Sequence, residues 1–160
     1  MDLNYIDQFF SEQEHQIIHD YCLNAEYSCS ERDDVNLPIT GMIHDIPETE
    51  FVYKLNKKRL NDSAQQVQGK KLYRMYVNCF VPGEKPYFHV DGDEGVTFIY
   101  YPNMKWDKDD GGETQFLMKD DLYGVLPIPI VWWCLVRTCY IVPHHFAIII
   151  DSPLQSSICE

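Results

Sequence analysis

The stretch that decides the fold runs from Lys71 to Phe116 and reads KLYRMYVNCFVPGEKPYFHVDGDEGVTFIYYPNMKWDKDDGGETQF. From residue 71 onward the pattern changes to that of β-strands, and residues 97–101 form a second run rich in β-branched and aromatic side chains. Pro82-Gly83 between the two runs is a turn signal. This stretch is therefore predicted to be the β-rich centre of the domain.

His89 and Asp91 are separated by one residue within this strand-like segment. In an extended strand, residues two apart point to the same side, so the imidazole and the carboxylate can be aimed at one point. Such a pair supplies two of the three ligands of a 2-His-1-carboxylate facial triad, the Fe(II) site of non-heme oxygenases. Taken alone, the same tripeptide is also common as a pair of exposed polar residues at a strand end.

The motifs around this pair, in their order along the chain, resemble those of the prolyl-4-hydroxylase-like Fe(II)/2-oxoglutarate-dependent dioxygenases. That family has a turn glycine, H-x-D, Y-L-N at the end of a strand, G-G-E-T-x-F, and a later turn with glycine and proline. The matching residues here are Gly83, His89 with Asp91, Tyr101-Pro102-Asn103, Gly111–Phe116, and Gly124 with Pro129. The resemblance extends over roughly residues 5–129.

This resemblance implies a mainly β fold with N-terminal helices (α+β), built as a double-stranded β-helix, or jelly roll. It implies one domain over residues 1–160, with a helical support region at 1–70, a jelly-roll core carrying the metal motif at 71–129, and an atypical tail at 130–160. It also implies Fe(II) as the metal, 2-oxoglutarate as co-substrate and ascorbate as an accessory cofactor. The expected reaction is hydroxylation of a C–H bond in a peptide or small molecule, with peptidyl proline as the favoured substrate.

Members of this family often place a tyrosine on the strand before the turn glycine, where it hydrogen-bonds 2-oxoglutarate. The matching position here is Phe80, which has no hydroxyl group. Tyr76 and Asn78 lie on the same predicted strand face and are candidate 2-oxoglutarate ligands, although both residues also suit a core position. No catalytic side chain is predicted beyond the metal ligands.

The resemblance ends after Pro129. There the family would supply a distal histidine as the third metal ligand and, one strand later, an arginine whose planar fork binds the 2-oxoglutarate carboxylate. The tail instead reads IVWWCLVRTCYIVPHHFAIIIDSPLQSSICE, with no arginine after Arg137. His144 is the candidate third ligand, and the distal strands are expected to be disrupted.

Back-translation indicates that this tail is the expected one read out of frame. If each codon starts one base earlier, position 141 permits histidine and position 151 permits arginine, which is the separation found in the family. We interpret the tail as the result of one base lost near the codons for Pro129 and Ile130. The alternative to an active dioxygenase is therefore a catalytically inactive, frameshifted or truncated member that lacks the distal iron histidine and the 2-oxoglutarate arginine.

Composition and charge argue against several other classes of protein. The formal net charge of −12 disfavours a nucleic-acid backbone or an anionic membrane as partner. Prolines, Arg137 and two histidines interrupt the apolar residues from 125 to 150, so no membrane span is predicted there. The six cysteines lack zinc-site spacing, and the chain opens without signal-peptide features, so a cytoplasmic protein with free thiols is expected.

Two helices are predicted before the β-rich stretch. Residues 11–14 form a capping box that opens the first helix, and Pro47–Glu50 opens the second, whose basic run at 57–59 is interpreted as a solvated C-terminal end. His15 and His19 lie one turn apart on the first helix and are assigned to its exposed polar face, because no third ligand is in view.

Overall fold

The computed structural model describes residues 4–6, 9–30, 32, 35–63, 70–81, 84, 86–90, 96–118, 121–126, 133–136, 140–142 and 146–150. Over these residues the helices are α1 (Glu12–Asn24) and α2 (Phe51–Ser63). The strands, in chain order, are β1 (Asn4–Ile6), β2 (Met42–Asp45), β3 (Leu72–Cys79), β4 (His89–Val90), β5 (Val96–Tyr100), β6 (Thr114–Met118), β7 (Asp121–Val125), β8 (Trp133–Val136), β9 (Tyr140–Val142) and β10 (Phe146–Ile150).

The strands form two antiparallel sheets. The larger sheet has the order β1-β8-β5-β10-β3-β2, and the smaller has the order β4-β9-β6-β7. From β3 to β6 and again from β7 to β10, successive strands mostly alternate between the sheets. Consecutive strands such as β3 and β4 therefore belong to opposite layers.

Helix α1 begins at the predicted capping box. The Ser11 hydroxyl accepts a hydrogen bond from the Glu14 backbone N–H (3.3 Å), and the Glu14 carboxylate accepts one from the Ser11 N–H (2.8 Å). The buried stripe of the helix consists of His15, Ile18 and Cys22, at the three- and four-residue spacing of one helical face. Ile17, although apolar and next to Ile18 along the helix, is 42% exposed.

Helix α2 packs Val52, Tyr53 and Leu60 into the same core as α1. The interpretation of its basic run as a solvated C-terminal end is wrong for Arg59, because the helix continues to Ser63. The Arg59 guanidinium instead donates to both carboxylate oxygens of Glu14, at 3.1 and 2.5 Å, and so joins the two helices.

The two faces of the larger sheet have different partners. Met75 and Val77 of β3 belong to the core that includes the helices, together with Phe98 and Tyr100 of β5. Tyr76 packs with Ile43 in a separate buried cluster on the opposite face, which we call the inner face. This confirms the predicted alternation along β3 and places Tyr76 and Asn78 on the side away from the helices.

Three strands form within the tail, so the expectation of disrupted distal strands is wrong for residues 133–136, 140–142 and 146–150. β10 inserts between β3 and β5, β8 pairs with β5 and β1, and β9 pairs with β4 and β6. The run Ile148–Ile150 is apolar and β-branched, which favours a strand. The strands paired on either side of it satisfy its backbone hydrogen bonds.

A second correction concerns Gly124, which was expected in a turn. It lies within β7 and pairs with Gln115 of β6, and its partner in the expected motif, Pro129, lies outside the described residues. A glycine flanked by Tyr123 and Val125, which both favour strands, is readily drawn into a ladder when a neighbouring strand supplies the hydrogen bonds.

The fold is thus of the mixed α+β class, with two helices packed on one face of the larger sheet in the part of the chain that the structure describes. Among these residues, no helix combines the length and the apolar character needed to cross a bilayer.

Candidate metal centre

His89 begins β4 at the edge of the smaller sheet and is partly buried. Its Nδ1 lies 3.1 Å from the carbonyl oxygen of Tyr87. A carbonyl can only accept, so Nδ1 carries the proton in this hydrogen bond and the lone pair lies on Nε2. This is the arrangement by which metal-binding histidines are oriented through their second ring nitrogen.

The register of the smaller sheet fixes the face on which His89 lies. His89 pairs with Ile141 of β9, and Ile141 pairs in turn with Phe116 of β6. Residues directly opposite each other in neighbouring strands share one face of the sheet. Phe116 is fully buried, so His89 lies on the buried face of this sheet.

The position directly across from His89 is Ile141, the middle residue of β9. Opposed residues in an antiparallel pair have Cβ atoms roughly 4.5–5.5 Å apart, which is close enough for two side chains to reach one ion. Isoleucine has no donor atom. The same position permits histidine in the shifted reading frame.

The remaining metal candidates, Asp91 and His144, lie outside the described residues. Over the part of the chain that is described, no group of three or more His, Cys, Asp and Glu side chains is close enough to hold a metal ion. Within the described residues, the candidate site therefore comprises His89 and the Tyr87 carbonyl that orients it, with position 141 directly across from His89.

The two candidate 2-oxoglutarate ligands lie on the inner face of β3, where Tyr76 is buried and Asn78 partly so. Phe80, at the position of the family tyrosine, is used for packing instead. Gly41 has a φ of +72°, and a Cβ there would come within 2.5 Å of Cε1 of the Phe80 ring. The ring thus fills the space that any side chain at position 41 would need.

Arg74, which the sequence interpretation passed over, lies two residues before Tyr76 on the same face. Its guanidinium stacks over the Tyr76 ring, 4.7 Å from the centroid, and forms a two-pronged ion pair with Asp45 of β2. The signal that could have found it is the two-residue period of β3, which places Arg74, Tyr76 and Asn78 on one side.

Two of the recognised motifs contact each other in the interior. The Tyr101 hydroxyl donates to Oγ1 of Thr114 at 2.6 Å, and both side chains are buried. Tyr101 follows β5 and Thr114 begins β6, so this bond joins the two sheets. Gly111 and Gly112, with φ of +68° and +82°, form the turn before β6, in agreement with a structural role for this motif.

The acidic loop near this turn is closed by its own hydrogen bonds. The Asp107 N–H donates to the Asp110 carboxylate at 2.7 Å, and the residues from 107 to 110 are exposed to solvent. The Trp106 indole N–H donates to the Gly111 carbonyl at 2.7 Å and holds the loop against the turn.

The assignment of His15 to an exposed polar face is wrong. Its side chain is buried, with Nδ1 hydrogen-bonded to the Tyr100 hydroxyl and Nε2 lying 3.2 Å from the Asn103 carbonyl oxygen. His19 donates to the Pro102 carbonyl at 2.9 Å. Both histidines therefore attach α1 to the segment that follows β5.

The chain has two antiparallel sheets whose strands alternate along the sequence, with helices on the larger sheet and a histidine on the buried face of the smaller. This arrangement is that of a prolyl-4-hydroxylase-like fold. Solved structures bear this out. The chain resembles a Trichoplax adhaerens prolyl hydroxylase in complex with a peptide fragment of the hypoxia inducible factor oxygen degradation domain, with a TM-score of 0.67, 16% identity, and 92% of this chain and 81% of that chain covered.

It is also similar to a Pseudomonas putida prolyl-4-hydroxylase, with a TM-score of 0.66, 13% identity, and 92% of this chain and 90% of that chain covered. At these identities the likeness shows the fold. No family model and no curated protein matches the sequence.

Proposed function

We propose that this chain is the frameshifted form of an Fe(II)- and 2-oxoglutarate-dependent dioxygenase domain, folded as a double-stranded β-helix, whose metal site in the restored reading frame is built on His89, Asp91 and position 141. The single observation that carries this proposal is the register that sets His89 on the buried face of the smaller sheet directly opposite position 141. The prolyl-hydroxylase-like fold supports it independently.

Two of the three donors fit such a site. The Tyr87 carbonyl holds the His89 proton on Nδ1 and keeps Nε2 as the ligating atom. Asp91 lies outside the described residues; from the sequence, its two-residue spacing from His89 predicts that both side chains share one side of the strand. Ile141 does not fit, because a hydrocarbon side chain offers no ligand to a divalent cation.

Fe(II) together with 2-oxoglutarate would supply the activation of O2 needed to hydroxylate an unreactive C–H bond. The chain would bind and orient the co-substrate through Tyr76 and Asn78 on the inner face of β3. Burial of Phe116 and Ile99 on the two facing sheets would exclude water from the site. We propose a proline-containing peptide as substrate, since the Trichoplax neighbour was solved with a peptide bound.

A second candidate function, an inactive member of the same fold, is favoured by the isoleucine at position 141. Both candidates hold if the restored reading frame encodes the active enzyme and the chain as given is its inactive form. The chain as it stands would then bind a metal weakly through His89 and Asp91 and turn over little or no 2-oxoglutarate.

The test compares this chain with the product of a gene in which one base is added between the codons for Pro129 and Ile130. Both proteins receive Fe(II), ascorbate and 2-oxoglutarate, with and without a proline-rich peptide, and succinate is measured. We expect turnover from the restored protein and little or none from the chain as given. The His89→Ala variant of the restored protein is the control, and it should be inactive.

Full turnover by the chain as given would contradict the proposal, because it would place a working third ligand elsewhere in the tail. Absence of turnover by a folded restored protein would contradict the assignment to this class of enzyme.

A further inference from the structure

We propose that Arg74 is a carboxylate-binding residue on the inner face of the larger sheet and binds a carboxylate of 2-oxoglutarate in this chain. The inference rests on the proposed function. It assigns to Arg74 the carboxylate-binding role for which the tail supplies no arginine after Arg137.

Arg74 lies on the same side of the sheet as the candidate co-substrate ligands. Its guanidinium stacks on the Tyr76 ring, whereas its chain neighbour Met75 is buried in the core with the helices. Asp45, which pairs with Tyr76 in the ladder, is on this side as well. Arg74, Tyr76 and Asn78 therefore form one row along the inner face of β3.

The guanidinium already binds a carboxylate in a two-pronged arrangement. Its Nε lies 2.6 Å from Oδ1 of Asp45, and one terminal nitrogen lies 3.0 Å from Oδ2. Two parallel N–H···O bonds are the geometry by which arginine recognises carboxylates. Asp45 thus shows that a planar carboxylate fits against this fork.

Asp45 is a carboxylate that a ligand can displace. Its side chain is 63% exposed and that of Arg74 is 30% exposed, so solvent reaches both partners. Exposed ion pairs contribute little to stability, because the attraction is screened and the side chains lose freedom when they pair. A ligand carboxylate that replaces Asp45 therefore forfeits little of the folding free energy.

The aromatic ring beneath the guanidinium limits the directions in which it can turn. A guanidinium that lies over a tyrosine ring contacts it through its face, so the N–H groups at its edge remain available to oxygen acceptors. Lysine cannot reproduce this arrangement, since its ammonium group is neither planar nor forked. This difference makes Arg74→Lys the informative substitution.

The experiment measures 2-oxoglutarate binding to the chain as given, by ligand-observed NMR with succinate as competitor, without Fe(II). We expect Arg74→Lys to weaken binding about tenfold or more, because the two-pronged bond is lost. Asp45→Asn should tighten binding, because the internal competitor loses its charge. Arg59→Lys is the matched control, since Arg59 pairs equally with Glu14 but lies between the helices. Its binding should equal that of the unmodified chain.

Unchanged affinity in folded Arg74→Lys would overturn the inference, as would weaker binding in folded Asp45→Asn or failure of the unmodified chain to bind 2-oxoglutarate. These outcomes are independent of turnover. Binding that depends on Arg74, accompanied by an inactive restored protein, would count against the proposed enzymatic function alone.

Discussion

The side chain of His15 is a buried imidazole whose two nitrogens both have protein partners. Nε2 faces the Asn103 carbonyl, which can only accept, so Nε2 carries the proton and Nδ1 accepts from the Tyr100 hydroxyl. Burial lowers the pKa of His15, opposed by the Asn103 carbonyl and assisted by nearby His19. The folded protein therefore favours the neutral imidazole.

This predicts a pH-dependent stability that arises from one residue. Because the pKa is lowered on folding, the unfolded chain binds the proton more readily, and stability falls as pH drops through the ordinary histidine value of 6.5. The loss ends once the pH is below the folded-state pKa. The measurement is the free energy of unfolding in urea from about pH 8 to pH 5.

His15→Gln should remove this part of the slope, while His19→Gln, on the same helix, should keep it. An unchanged slope in His15→Gln would contradict the assignment. Two neighbours of His15 also have shifted pKa values. Burial raises the pKa of the Glu14 carboxyl, but hydrogen bonds from Arg59 and Ser11 outweigh it, so its net pKa is lowered. Burial raises the pKa of the Tyr100 hydroxyl far above this window.

At the scale of residues, the strand position of His89 was predictable from the sequence and the burial of His15 was not, while the role of His89 as a metal ligand stays a prediction. The His89 prediction used neighbouring motifs and the two-residue period of a strand, both of which are local. The burial of His15 depends on Tyr100 and Asn103, more than eighty positions away along the chain. Without those partners, an imidazole in a helix is expected in solvent, because an unsatisfied buried nitrogen is costly.

Among the elements, β5 and β6 are joined by the bond from Tyr101 to Thr114. Both groups are buried, so removing one partner costs the other this hydrogen bond at a place shielded from water. We expect Thr114→Val or Tyr101→Phe to lower the free energy of unfolding by about 1–3 kcal/mol. The double variant should be less destabilised than the sum of the two, which a double-mutant cycle measures.

Thr49→Val, at an exposed position before α2, is the control for the loss of a threonine hydroxyl and should have little effect. Strict additivity of the two buried substitutions would contradict a direct interaction between Tyr101 and Thr114.

Some of these helices and strands were predicted from the sequence and others were not. The capping box at Ser11 and the strand character of β3 and β5 were predicted, because caps and alternation are local signals. The three tail strands were not, because the loss of the motif was taken to mean the loss of the strand. Apolar, β-branched residues form a strand where neighbouring strands can pair with them. The shifted tail still supplies such residues, and β3 and β5 pair with them.

On the scale of the whole molecule, the two sheets collect residues that the sequence keeps far apart. β3 brings Arg74 and Tyr76 to the inner face of one sheet, and the register of β4 and β9 sets His89 opposite position 141 in the other. Recognised motifs predicted the class of fold. The partner position required the strand register, which depends on a pairing between residues about fifty apart and has no local signal.

We propose that position 141 is the third ligand position of a metal site on His89 and Asp91. A Mn(II) titration, followed by electron paramagnetic resonance, of the chain as given and of its Ile141→His variant tests this proposal. We expect the substitution to tighten Mn(II) binding by at least about tenfold, and His89→Ala to abolish the gain. Unchanged affinity in a folded Ile141→His variant, or a gain that survives His89→Ala, would contradict it.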